Sequence, residues 1–254
     1  MYCKIVHQRM FGAISRKFQL KFKDRAAAGN ILAEILKDRL NKEKLEECIV
    51  VLGVPRGGVV TADVVARKLT SSSLPPSANT AVVDFDIIVP RKLTDPDNKE
   101  QAIGAVMEDG TTYLDEELIS MLQITQDYIE KEKAEQIQEI RRRITLYSIT
   151  ATINHYEHLK GKTTILVDDG AATGATLIAT ARWLKRKHTP KHLIIAVPVA
   201  PKDTVKLLKQ EADAVEVVTS PSSIFRSVEQ FYQDFRQVPD DKVMAILRDR
   251  NMLM

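Results

Sequence analysis

The chain lacks most of what marks several broad protein classes. Its 254 residues hold two cysteines, Cys3 and Cys48, and nothing in their spacing suggests a disulfide framework or a metal site. Two reduced thiols in a cytoplasmic protein are the reading they support. No apolar stretch reaches the roughly 18 residues of a membrane span, so no membrane partner is expected. The N-terminal "MYCKIVHQRMFGAISRKF" mixes basic and apolar residues but has no continuous apolar segment of signal-peptide type, which argues against secretion. A dominant charge is missing too. Lys and Arg number 37 against 34 Asp and Glu, a net +3. The basic residues form no long run, so nucleic acid is not an expected partner, although Arg141–Arg143 and the basic N-terminus leave RNA contact open. No internal repeat is present.

What is present is ordinary globular composition, 44% hydrophobic and 28% charged, with ample length for a core. Short apolar runs rich in β-branched residues alternate with helical patterns. "CIVVLGV", "AVVDFDIIV" (ending at Pro90), "TTILVD", "HLIIAVPVA" and "AVEVVTS" read as buried strands. "DRAAAGNILAEILKDRL", with Asp24 as N-cap, "VVTADVVARKL", about 174–187, Pro201–Gln210 and about Asp241–Arg250 read as helices. That alternation predicts an α/β fold, an open and mostly parallel sheet with helices on both faces. "PRKLTDPDNKEQAIG" reads as a long polar loop, and Asp109-Gly110 as a hairpin turn. Asp115 to about Tyr147 has no Pro or Gly and reads as one long or broken amphipathic helix.

The chemistry concentrates in "ILVDDGAATGAT". Asp168 and Asp169 stand at the C-terminal end of a strand, where open parallel sheets bind ligands. Behind them Gly170, Ala171, Ala172, Thr173, Gly174, Ala175 and Thr176 present no bulky side chain, so backbone N–H groups can approach an anion. A helix N-terminus follows and favours a phosphate. The carboxylates suit hydroxyls, or a cation held through water. A ligand with a phosphate near a vicinal diol fits both halves, and ribose 5-phosphate is one. A P-loop and a dinucleotide fingerprint both fail on spacing, here and in "GVPRGGV".

These residues resemble the phosphoribosyl-pyrophosphate (PRPP) signature of type I phosphoribosyltransferases. "LGVPRGGV" is similar to that family's pyrophosphate loop, with Pro55, Arg56, Gly57 and Gly58; taken alone it is equally a tight turn with a surface arginine. "VPRKL" is similar to the start of the family's mobile catalytic loop. Arg91 and Lys92 there commonly contact the leaving pyrophosphate; taken alone they are an ordinary solvated pair. The three segments span about 125 residues in the family's order. The chain is most similar to a bacterial and archaeal subgroup of predicted phosphoribosyltransferases carrying a "VPRKL…AIGAV.EDG" segment.

The resemblance implies a type I phosphoribosyltransferase fold in one domain over 1–254, with an extension over about 1–20, a helical insertion or hood over about 113–160 and a C-terminal segment over about 221–254. It implies pentosyl transfer in nucleotide metabolism or salvage: a nitrogen acceptor attacks PRPP and Mg²⁺-bound pyrophosphate leaves. Arg56, Arg91 and Lys92 would be catalytic. Asp168 and Asp169 would hold the ribose hydroxyls and Mg²⁺, the latter through water and PRPP. Residues 170–176 would hold the 5-phosphate, and closure of the 92–103 loop would exclude water. Some purine-salvage members carry an acidic residue where this chain has Ala172, so any general base must come from elsewhere, with Asp95, Asp97, Glu100 and Glu108 as candidates. Phe225 and Tyr232, with Phe231 and Phe235, are candidates to stack on the acceptor, against the plainer reading that they pack the last helices. His155 and His158 have the spacing of a metal pair without a third ligand. A PRPP- or nucleotide-binding regulator on the same fold is the competing reading, and a homo-oligomer stays open.

Overall fold

The computed structural model describes residues 21–45, 48–71, 82–147, 155–221, 225–250 and 252. The residues read as an N-terminal extension therefore lie outside the described ones.

Asp24 begins the described helices as expected. Its carboxylate accepts from Ala27 N at 2.8 Å and caps α1 (Arg25–Glu43), satisfying one of the donors a helix start leaves open. Then follow β1 (Cys48–Gly53), α2 (Gly57–Ser71) and β2 (Val82–Ile87). β6 (Thr163–Val167), α5 (Ala175–Lys187), β7 (His192–Val199), α6 (Lys202–Glu211), β8 (Ala214–Thr219) and α7 (Asp240–Asp249) complete the α/β frame. The five strands form one parallel sheet in the order β2-β1-β6-β7-β8.

Both faces of this sheet are apolar because both are covered. Ile49, Val51, Ile165, Val167, Ile194 and Ala196 pack with Leu32, Leu36, Val59 and Val65 of α1 and α2. The alternate residues Val50, Leu52, Leu166, Leu193, Ile195 and Val197 pack with Leu177, Ile178 and Leu184 of α5 and Leu208 of α6. The period of two sends neighbouring side chains to opposite faces, which is why the strands read as continuous apolar runs. At about 25 cal/mol per Å² of apolar area removed from water, this two-sided burial is the main stabilising term.

The stretch from 90 to 147 differs from the sequence expectation in two places. Strand β2 stops at Ile87, short of Pro90, and the expected polar loop contains a strand. β3 (Arg91–Thr94) pairs antiparallel with β4 (Ala102–Val106), which pairs with β5 (Thr112–Leu114) in a second, three-stranded sheet. The turn between β4 and β5 is the expected Asp109-Gly110 hairpin, with Gly110 at φ 85°. β3 escapes a reading of the sequence because its backbone bonds come from β4 and only Leu93 of its four residues is fully buried. The long helix is broken into α3 (Glu116–Met121) and α4 (Gln126–Leu146). Gln123 adopts φ 54° at the break, and the Thr125 hydroxyl accepts from Tyr128 N to cap α4. No glycine or proline announces it.

Candidate functional site

The central strands β1 and β6 lie side by side, and the chain order reverses between them, since β1 leads outward to β2 on one side and β6 leads to β7 on the other. Crevices at such a switch point are where open α/β sheets bind ligands. Val54 N donates to Val167 O at 3.0 Å, so the pairing continues until both strands release their loops. The loop after β1 carries Pro55, Arg56 and Gly57, and the peptide between Pro55 and Arg56 is cis. The loop after β6 carries Asp168 and Asp169.

The two loops and β3 enclose a cavity of about 480 Å³. Pro55, Arg56, Gly57, Arg91, Lys92, Asp168, Asp169 and Thr176 line it, together with Val54, Pro90, Thr94, Lys99 and Gln136. Residues singled out from three separate segments are thus brought to one shared space. Four of the lining side chains are cationic and two are anionic, a distribution that suits a polyanion with hydroxyl groups.

Gly57 and Gly58 make room for the carboxylates, a constraint the sequence did not reveal. A Cβ on Gly57 would sit 1.8 Å from Asp169 Oδ2, and one on Gly58 would sit 2.7 Å from Asp168 Oδ1. Asp169 N donates to Asp168 Oδ1 at 2.8 Å. Burial first, and then the neighbouring Asp169 charge, push the Asp168 carboxyl well above the usual carboxylate range; the bond from Asp169 N and then the Lys92 charge oppose them. Burial, then Arg143 and Arg56, lowers the Arg91 guanidinium from its ordinary value, though a guanidinium remains charged. Gly174 (φ 76°) is the N-cap of α5 and supplies no side-chain capping bond; Ala175 N donates to Thr173 Oγ1 at 3.4 Å, and an anion can serve the other first-turn N–H groups. The rest of the loop is held from behind. Ala171 N donates to Val199 O at 2.8 Å, and Thr204 Oγ1 donates to Ala172 O at 2.6 Å.

Arg25 is the residue the sequence reading passed over. Its side chain, 10% exposed, reaches from the first turn of α1 to Asp169. A cation in the first turn works against the helix dipole, and that misfit is the signal that could have marked it.

The aromatic candidates are placed elsewhere. Tyr232 is 4% exposed, its ring lies 5.2 Å from that of Phe22, and its hydroxyl donates to Asp169 O at 2.6 Å. Phe225 stacks on Phe231 at 5.6 Å. Neither Phe225 nor Tyr232 lines the cavity. Tyr232 braces the acidic pair from outside, and Phe225 packs in the aromatic cluster with Phe22, Phe231 and Tyr232. Asp95, Asp97, Glu100 and Glu108 do not line it either. Asp95 is buried and accepts from Asp97 N within the β3–β4 turn. His158 faces Asp86 at 3.5 Å, and the side chain of His155 lies outside the described set. Among the described residues no three acidic, His or Cys side chains group to hold a metal.

The model of the phosphoribosyl transferase domain family matches residues 19–236. Two proteins from Mycobacterium tuberculosis, of strains CDC 1551 and H37Rv, each named "Putative phosphoribosyl transferase", are 33% identical over 226 residues. That match covers 89% of this chain and 46% of each relative, so the chain spans about half the length of the curated relatives it matches. The crystal structure of TT1426 from Thermus thermophilus is similar with a TM-score of 0.66 and 36% identity, covering 91% of this chain and 99% of that one.

Proposed function

Since the chain belongs to the phosphoribosyl transferase domain family, we propose that it transfers ribose 5-phosphate from PRPP to a nitrogenous base or similar small-molecule acceptor and releases pyrophosphate. The observation that carries this reading is the single cavity shared by Asp168, Asp169, Thr176, Arg56, Arg91 and Lys92. The 170–176 loop and the start of α5 take the 5-phosphate. Asp168 and Asp169 accept from the ribose hydroxyls. Attack at the anomeric carbon breaks its bond to the pyrophosphate oxygen. Arg56, Arg91 and Lys92 stabilise the negative charge that collects on the leaving group. Nucleotide salvage in the cytoplasm is the setting that goes with this chemistry.

The donor set suits a magnesium ion in part. Asp169 Oδ2 is engaged by Arg25, which leaves Asp168 and Asp169 Oδ1 as oxygen donors, and Mg²⁺ is commonly bound by one or two carboxylates plus substrate phosphates. The chemistry it supplies when bound is charge neutralisation on the pyrophosphate.

One observation favours a second reading. None of the candidate bases Asp95, Asp97, Glu100 and Glu108 lines the cavity, which fits a PRPP-binding regulator without transfer activity. Pyrophosphate release from PRPP and Mg²⁺ with a panel of bases separates the two. Turnover with any base supports the transferase. Tight PRPP binding with no turnover supports the regulator, and no PRPP binding sinks both.

A further inference from the structure

Helix α4 turns a polar stripe toward β3. Tyr128, Glu132 and Gln136 are spaced four apart and so share one face. The Tyr128 hydroxyl donates to Thr94 O at 2.9 Å and accepts from Lys99 Nζ at 2.9 Å. Glu132 Oε1 accepts from Thr94 N at 3.3 Å, from Thr94 Oγ1 at 3.0 Å and from Gln136 Nε2 at 3.3 Å. Gln136 Oε1 in turn accepts from Arg91 Nε at 2.9 Å. A continuous chain of bonds therefore runs from the last residue of β3 to its first.

Glu132 is 5% exposed, and these three donors are all neutral. A buried carboxylate is costly unless its oxygens are satisfied, and an apolar residue would fill the same space. What the carboxylate does here, besides accepting from Thr94, is orient an amide. An ionised carboxylate accepts and never donates, so it takes the NH₂ side of Gln136. The carbonyl oxygen of Gln136 is then turned to the Arg91 guanidinium, which can only donate. With the amide reversed, Gln136 would present donors to Arg91 and an acceptor to Glu132, and both bonds would be lost.

We propose that Glu132 and Gln136 are positioning residues for Arg91: Glu132 sets the Gln136 amide, and the amide holds the guanidinium at the cavity wall before an anion arrives. A side chain ordered in advance loses less freedom on binding, and the binding energy saved appears as affinity. The inference rests on the transferase reading only in assigning Arg91 to the pyrophosphate. It gives α4 a task at the site, that of ordering a leaving-group cation.

The test is calorimetric titration of the full chain with Mg²⁺-pyrophosphate and, separately, with ribose 5-phosphate, which does not need Arg91. Gln136→Leu and Glu132→Leu are each expected to weaken pyrophosphate binding about tenfold, with ribose 5-phosphate affinity unchanged. In an Arg91→Ala background neither is expected to weaken pyrophosphate binding further. Equal loss of both ligands would mark a merely structural role and overturn the proposal. A full additional loss in the Arg91→Ala background would overturn it as well, while leaving the transferase reading intact. If the unaltered protein bound neither ligand, the transferase reading would fall and this inference with it.

Discussion

Arg25 Nε lies 2.6 Å from Asp169 Oδ2, across 144 positions of chain. The same guanidinium sits 3.8 Å above the Phe235 ring and donates from Nη1 to Arg236 O at 2.9 Å. One side chain thus ties the start of α1, the acidic pair and the C-terminal segment together. The ion pair is well shielded, with side-chain exposures of 10% and 16%, so its partners depend on each other more than a surface pair would.

Arg25→Leu should therefore lower stability by about 3 kcal/mol, because it leaves Asp169 shielded and unpaired. Urea unfolding reads this directly. Under the proposed function PRPP affinity should fall about tenfold as well, the usual range for losing a residue that orients a ligand group. Unchanged stability would show that the pair contributes nothing.

Gly57→Ala should cost roughly 1–3 kcal/mol, the range for overpacking, since its Cβ would collide with Asp169 Oδ2 and approach Arg25 Nε to 2.7 Å. Thermal unfolding with and without PRPP separates loss of fold from loss of ligand. Full retention of both would mean that the two loops can separate freely.

Tyr232→Phe removes the hydroxyl that donates to Asp169 O and keeps the ring in place. A loss of about 1 kcal/mol in stability is expected, with a weaker hold on PRPP and no change in the KM for the acceptor. A change confined to the acceptor KM would return Tyr232 to the acceptor site.

Glu139 carries a pH dependence. Hydrogen bonds from Arg142 hold its carboxyl down at about 2, with Arg143 adding to the effect against the cost of burial. A depressed carboxyl stabilises the fold above its unfolded value of roughly 4.3, and that contribution disappears as pH falls toward 2. With solvent screening it is on the order of 1 kcal/mol. Glu139→Gln should shift the urea midpoint down at pH 6 and progressively less as pH is lowered below about 4. A pH-independent difference would contradict the assignment.

Much of the frame is legible in local pattern. The five parallel strands announce themselves as β-branched apolar runs because each is buried on both faces. Asp24 announces α1 because a cap is a bond between near neighbours. The acidic pair and the small-residue loop stand out because two adjacent carboxylates and a run of residues without bulk are consecutive in the chain. Strand β3 and the break at Gln123 leave no such trace, since their bonds are made to partners distant in sequence or by residues with no marked turn preference.

The sequence by itself determined the alternation of strand and helix, the run of small residues behind Asp168 and Asp169 and the family to which they point, because these depend on short-range spacing. Only the tertiary structure decided that Arg25 holds Asp169, that Gly57 and Gly58 are small for the carboxylates' sake, that Tyr232 braces the loop from outside the cavity and that Glu132 and Gln136 reach Arg91. Those are contacts between segments tens of residues apart, and the packing of helices on a sheet, which no local pattern encodes, is what brings them within bonding distance.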